Sequence, residues 1–142
     1  MIASRRLKRV AFAVFALGTV LIALGPVAAQ VRELNPDWTA PTKEAARTNP
    51  LASRHETARG GAKLFRQRCV SCHGDDGNGT DRGPDLSASD VRAQSDGALF
   101  WKITSGNTRS GMPAFSFLPE LQRWQLVMHL RTPGAAPPTY GQ

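Results

Sequence analysis

Cysteine is scarce in this chain: 142 residues contain two, Cys69 and Cys72. A structural zinc site needs four ligands with paired spacings. The candidates that could complete one, His55 and His129, lie far apart and show no such pairing. Strand signals are missing as well, which argues against a thioredoxin-like dithiol domain built of alternating strands and helices. No convergent Ser/His/Asp set is present to suggest nucleophilic catalysis, and the carboxylates gather mainly in one glycine-rich loop. That loop, from Gly74 to Gly83, offers Asp75, Asp76, Asn78 and Asp81, yet position 87, where an EF-hand starting at Asp76 needs Glu, is Ser. Its acids and glycines read as solvated turn residues.

The N-terminus accounts for much of the basic charge. Arg5, Arg6, Lys8 and Arg9 precede an apolar run from Val10 to Leu24. Gly25-Pro26 then breaks the helix, and Val27-Ala28-Ala29 offers small residues for cleavage before Gln30. Residues 1–29 are thus expected to be an export signal, with an uncleaved membrane anchor as the alternative, since the run is long for a signal and short for a span. Four of the 18 basic residues and no acids lie in this stretch, leaving 14 bases against 11 acids over 113 residues. A net +3 does not argue for nucleic acid or anionic lipid as partner.

What is present is the run Cys69-Val70-Ser71-Cys72-His73. C-x-x-C-H is the attachment signal for a c-type haem. One helical turn separates the two thiols, so both can reach one porphyrin edge and add across its vinyl groups, while His73 is carried under the iron. Export fits this chemistry, because an oxidising compartment would otherwise tend to close the two thiols into a disulfide. A macrocycle also supplies apolar surface that a domain this small lacks.

Residues 30–54, rich in Pro, Asn and charge, read either as a spacer or as an extension wrapped on the domain and pinned by Trp38. Glu56 to about Ser71 carries a helical apolar face through Ala58, Gly61, Ala62, Leu64, Phe65 and Cys69. Gly60-Gly61 within it suggests close approach of another backbone. Ser89 is a candidate cap for a short turn over 87–94, and Ser95 or Asp96 for a helix containing Leu99, Trp101 and Ile103 that stops near Gly106. Pro119 opens a last helix with Leu121, Trp124, Val127 and Met128 on its apolar face, ended by Thr132-Pro133. Residues 133–142 read as a flexible tail.

A haem iron held by one histidine has a second axial position, for which Met112, Met128, His55 and His129 are candidates. Met112 is preferred: Gly111 admits close approach to the macrocycle, and Pro113 keeps Met112 extended and its thioether directed. Met128 and His129 sit mid-helix, where packing is the simpler role, and His55 stays open. Pro84, eleven residues after His73 and beyond a compact loop, can offer its carbonyl to the imidazole N–H.

Together these features resemble the class I cytochromes c, particularly the small bacterial single-haem type. The likeness rests on the C-x-x-C-H run, on Gly111-Met112-Pro113-Ala114-Phe115 as the methionine-ligand loop, on Gly83-Pro84-Asp85-Leu86 and on Trp124–Arg131 as the last helix, with Gly61 and Phe65 at its crossing. One departure is His129, where the family often has an aromatic such as tyrosine. The resemblance implies an all-α fold over residues 55–132 around one covalent haem c, with Cys69, Cys72, His73 and Met112 as its attachments and ligands. It implies Leu86, Leu99, Ile103, Phe115 and Phe117 as pocket residues, and Trp101 and Arg109 as propionate contacts. The function it implies is a periplasmic, non-catalytic electron carrier between redox proteins. The alternative is a cytochrome subunit of a periplasmic dehydrogenase or respiratory oxidase. A peroxidase or gas sensor would require Met112 to leave the iron.

Overall fold

The computed structural model describes residues 38–132, all of them within the unit Val31–Gln142. The expected export signal over 1–29 and the tail over 133–142 lie outside the described residues. Among the described residues six α-helices follow in order: α1 (Thr42–Ala45), α2 (Ala58–Arg68), α3 (Val70–His73), α4 (Ser89–Arg92), α5 (Asp96–Ser105) and α6 (Glu120–Arg131). Single 3-10 turns occupy His55–Thr57 and Thr108–Ser110. Among the described residues there is no strand, only an isolated bridge between Asn107 and Met112. The fold is all-α. No helix among the described residues is long and apolar enough to cross a membrane.

The crossing of α2 and α6 organises the core. Phe65, Ala58 and Ala62 are buried on α2, and Trp124, Leu126, Val127 and Met128 on α6. The helices approach so closely at Gly61 that a Cβ there would stand 2.6 Å from the backbone carbon of Gln125 and closer still to its oxygen. No other residue leaves room for that approach. One turn further along, the rings of Phe65 and His129 meet at 5.0 Å, so the histidine takes an aromatic's place in the crossing. Helix α5 completes the core with Leu99, Phe100 and Ile103, and Phe100 stacks on Trp124 at 4.0 Å.

Ser95 caps α5, its hydroxyl accepting from the Ala98 N–H. Gly106 ends that helix at φ +63°, a conformation that side chains rarely allow. Two local expectations are corrected. Helix α4 begins at Ser89 itself, with extended Ala88 at the cap position and no side-chain cap. The helix expected over 56–71 is divided: α2 stops at Arg68, Cys69 turns the chain at φ −117°, and Val70–His73 forms its own turn.

Residues 38–54 run as a strap over α5 and α6. Leu51 enters the core. Asn49 is buried and donates to Asp96 and to the Met128 sulfur. Arg47 reaches Glu120 at 2.6 Å and lies over the rings of Phe100 and Trp124. Gly97 lets the strap's backbone touch α5: a Cβ there would meet the Ala45 oxygen at 2.8 Å and the Arg47 nitrogen at 2.9 Å.

Candidate haem site

The cysteine–histidine turn is built by local hydrogen bonds. The Cys69 N–H donates back to Phe65, tying the turn to α2, and the Cys69 carbonyl accepts from Cys72 at 3.1 Å and from His73 at 2.9 Å. A single helical turn thus separates the two sulfurs, placing them on one face. Both are free thiols of intermediate exposure. Burial, with a smaller contribution from Cys72, pushes the Cys69 thiol up to about 11, so it is protonated at neutral pH.

The loop after His73 folds back onto the turn. Gly79 N–H donates to His73 O, Thr80 N–H to Gly83 O, and Leu86 N–H to Gly77 O. The Thr80 hydroxyl donates to Cys72 O at 2.6 Å. Gly83 lies so near α3 that a Cβ would stand 2.7 Å from that same oxygen. Asp85 accepts from both the N–H and the hydroxyl of Ser87, which lower its pKa and fix the bend after Pro84. The loop thereby delivers the Pro84 carbonyl to within 2.9 Å of His73 Nδ1. A carbonyl can only accept, so Nδ1 carries the proton and Nε2 presents its lone pair. His73 is buried, which fixes the ring in that attitude.

Met112 is held by a different device. Asn107 and Met112 exchange two backbone hydrogen bonds, each 2.9 Å, around the Thr108–Ser110 turn. Gly111 takes φ +86° to close it. The Phe115 N–H then returns to Ile103 O at 3.1 Å. Met112, Leu86, Cys69, Val70 and Leu64 are all half-buried at the margin of one hydrophobic cluster that includes Leu99, Ile103 and Phe115. The Cys69 thiol and the Met112 thioether therefore border a single apolar core, and Cys72 and His73 lie on the turn that Cys69 begins. This is the donor set that a c-type haem requires.

The other sequence candidates fall elsewhere. Met128 is buried and its sulfur accepts from Asn49. His129 packs on Phe65, and its buried Nδ1 has no hydrogen-bond partner. His55 is exposed on the turn before α2. No cluster of three or more His, Cys, Asp or Glu suited to a metal ion exists among the described residues. Trp101 is half-buried and Arg109 exposed. Phe117 is 65 % exposed, tilted against Phe115, with the Arg68 guanidinium 5.9 Å from its ring.

Sequence reading missed the supports of the site: Thr80, Ser87, Asn107 and the approach of Gly83. The glycines and Asx residues of the loop marked turns, but not which carbonyls those turns would hold.

The family model for cytochrome c oxidase, cbb3-type, subunit III, matches residues 56–130. The chain belongs to that family. Its described part is a c-type cytochrome domain, and such a domain binds haem c and carries electrons. The match begins two residues before α2 and ends one residue before the end of α6, so it includes both Cys69–His73 and Met112 but not the strap. No curated protein matches the chain.

Proposed function

We propose that this cytochrome domain relays single electrons through one haem c, joined to Cys69 and Cys72 by thioethers and ligated by His73 and Met112. The observation that carries this reading is the His73 Nδ1 contact with Pro84 O, which commits one ring nitrogen and leaves the other available to ligate iron. The bound group supplies the one-electron couple. The chain's residues set its properties. Pro84 accepts the imidazole proton's hydrogen bond and so raises the basicity of Nε2. The Met112 thioether, a soft and weak ligand, favours the ferrous state and raises the potential relative to a second histidine. Pro113 and the Asn107 bridge hold the Met112 backbone in place. With His73 and Met112 both holding the iron, dioxygen and peroxide would find no open coordination site.

A second reading concerns where the relay works. The family match favours a cytochrome domain docked in a respiratory oxidase over a freely diffusing carrier. In both cases the domain would lie on the periplasmic side after export.

Absorption spectroscopy of the holoprotein tests the ligand set. The ferric protein should show a sulfur-to-iron charge-transfer band, and the ferrous protein should not shift with carbon monoxide. Met112→Ala should abolish the band, lower the potential and let carbon monoxide bind. An unchanged spectrum and potential would refute Met112 as ligand. Intact mass of the holoprotein tests the thioethers: haem released by denaturation would exclude them. Co-purification with an oxidase core from native membranes separates the docked from the free reading.

A further inference from the structure

The strap ends against the loop that carries Met112. The Trp38 indole N–H donates to Gly106 O at 2.9 Å. That oxygen belongs to the Gly106–Asn107 peptide, and the N–H of the same peptide donates to Met112 O at 2.9 Å. One peptide plane is therefore held from both ends, by Trp38 on its carbonyl and by Met112 on its amide. Hydrogen bonds arranged in series through a peptide polarise one another.

The surroundings reinforce this. Gly106 has φ +63° and packs so tightly on Pro113 that a Cβ would stand 2.5 Å from its carbonyl carbon. The Lys102 ammonium, one turn earlier on α5, lies 4.5 Å from the centre of the Trp38 ring, a cation–π contact. Behind Trp38 the strap is fastened at Ala45 by the Ser95 hydroxyl, at Asn49 by Asp96, and at Leu51 by burial.

We propose that residues 38–54 are a clamp on the methionine loop, and that Trp38 is a positioning residue that holds Met112 through the Gly106–Asn107 peptide. The proposal rests on the reading of Met112 as the axial ligand. Releasing the indole bond lets the loop swing away more often, so a competing ligand finds the sixth position open more of the time.

The test uses the full-length ferric holoprotein titrated with imidazole, which competes for the position assigned to Met112. Trp38→Phe keeps a ring beneath Lys102 and removes the N–H donor together with one ring of the indole. Loss of one net hydrogen bond corresponds to about a fivefold change in such an equilibrium. Imidazole should therefore bind Trp38→Phe about fivefold more tightly than wild type. Hydrogen-exchange protection of the Asn107 and Met112 amides should fall by about the same factor. Gly61→Ala is the control: its new Cβ meets Gln125 backbone and His129 Cβ, none of them on the strap or the methionine loop. It should lower thermal stability and leave imidazole affinity unchanged.

Wild-type imidazole affinity and amide protection in Trp38→Phe would overturn the clamp and leave Met112's role intact. Equal tightening of imidazole in Gly61→Ala would overturn it too, since general loosening would then suffice. A wild-type protein with no sulfur-to-iron band would remove the Met112 assignment and the clamp with it.

Discussion

Adjacent glycines at the α2/α6 crossing should respond in opposite ways to the same methyl group. At Gly61 the new Cβ would stand 2.6 Å from the Gln125 backbone carbon, and ordinary contact begins at 3.4 Å, so α6 must retreat by at least 0.8 Å. The obstacle is backbone, and no rotamer change relieves it. Overpacking of a tight core costs about 1–3 kcal/mol, and a rigid obstacle belongs at the upper end. Alanine returns about 1 kcal/mol in helix propensity over glycine. The net loss for Gly61→Ala is therefore about 2 kcal/mol, or a fall in Tm of about 8–16 °C for a domain this size. At Gly60 the nearest atoms belong to the Gln125 amide, at 3.0–3.1 Å and at the end of a flexible side chain. That amide can swing aside, so Gly60→Ala should raise Tm by up to about 5 °C. Both variants are to be measured as holoproteins by far-ultraviolet circular dichroism, scanning temperature and checking reversibility. A Gly61→Ala midpoint within about 2 °C of wild type would refute the claim that backbone contact fixes the crossing. Equal falls for both variants would refute the geometric distinction between them.

Two more perturbations probe the structure elsewhere. Burial lowers the pKa of His129, so the unfolded chain takes up its proton first. Its contribution to stability is complete above about pH 6.5 and is lost as pH falls from there towards the depressed folded value. His129→Leu should flatten this loss, read as the difference in urea midpoint between about pH 7.5 and about pH 5.5; an undiminished difference would assign the effect elsewhere. Gly97→Ala should lift the strap, because its Cβ would meet the Ala45 oxygen at 2.8 Å. Trypsin should then cut at Lys43 and Arg47 several-fold faster than in wild type, and unchanged cleavage would show that the strap does not depend on this contact.

The parts of the site that the sequence made legible are those whose physics is local. Cys69, Cys72 and His73 share one turn, and Pro84 returns to that turn through a loop whose bends are written in glycine and Asx residues. All of these contacts close within the segment 69–86. The capping of α5 by Ser95 and its stop at Gly106 were legible for the same reason: a cap reads only its own helix end. The division of the helix at Cys69 was not, because the apolar spacing continues across it and only the backbone angle at Cys69 departs. The strap was the least legible. Its prolines and charges resemble those of any spacer, and what docks it lies far along the chain, in Gly97, Ser95, Asp96 and the Gly106 carbonyl. A packing role for His129 was legible from its mid-helix position, but the burial of its unpartnered nitrogen depends on how near two backbones come.

The His73 and Met112 sides of the site are thus built differently, and they should fail differently. The histidine side closes short loops, whose entropy is small, and it needs few contacts from elsewhere. The methionine side has a local bridge, Asn107 with Met112, but that bridge is anchored by partners distant in sequence, above all Trp38, 68 residues before Gly106. A long loop costs more to close, and its contacts are the first to yield when the fold is weakened. Substitutions that loosen the strap should therefore act first on the Met112 loop and leave His73 on Pro84. Measured along a denaturant titration of the ferric holoprotein, the sulfur-to-iron band should vanish before the helical signal does. If band and helix were lost together in one transition, the methionine loop would be as firmly built as the core.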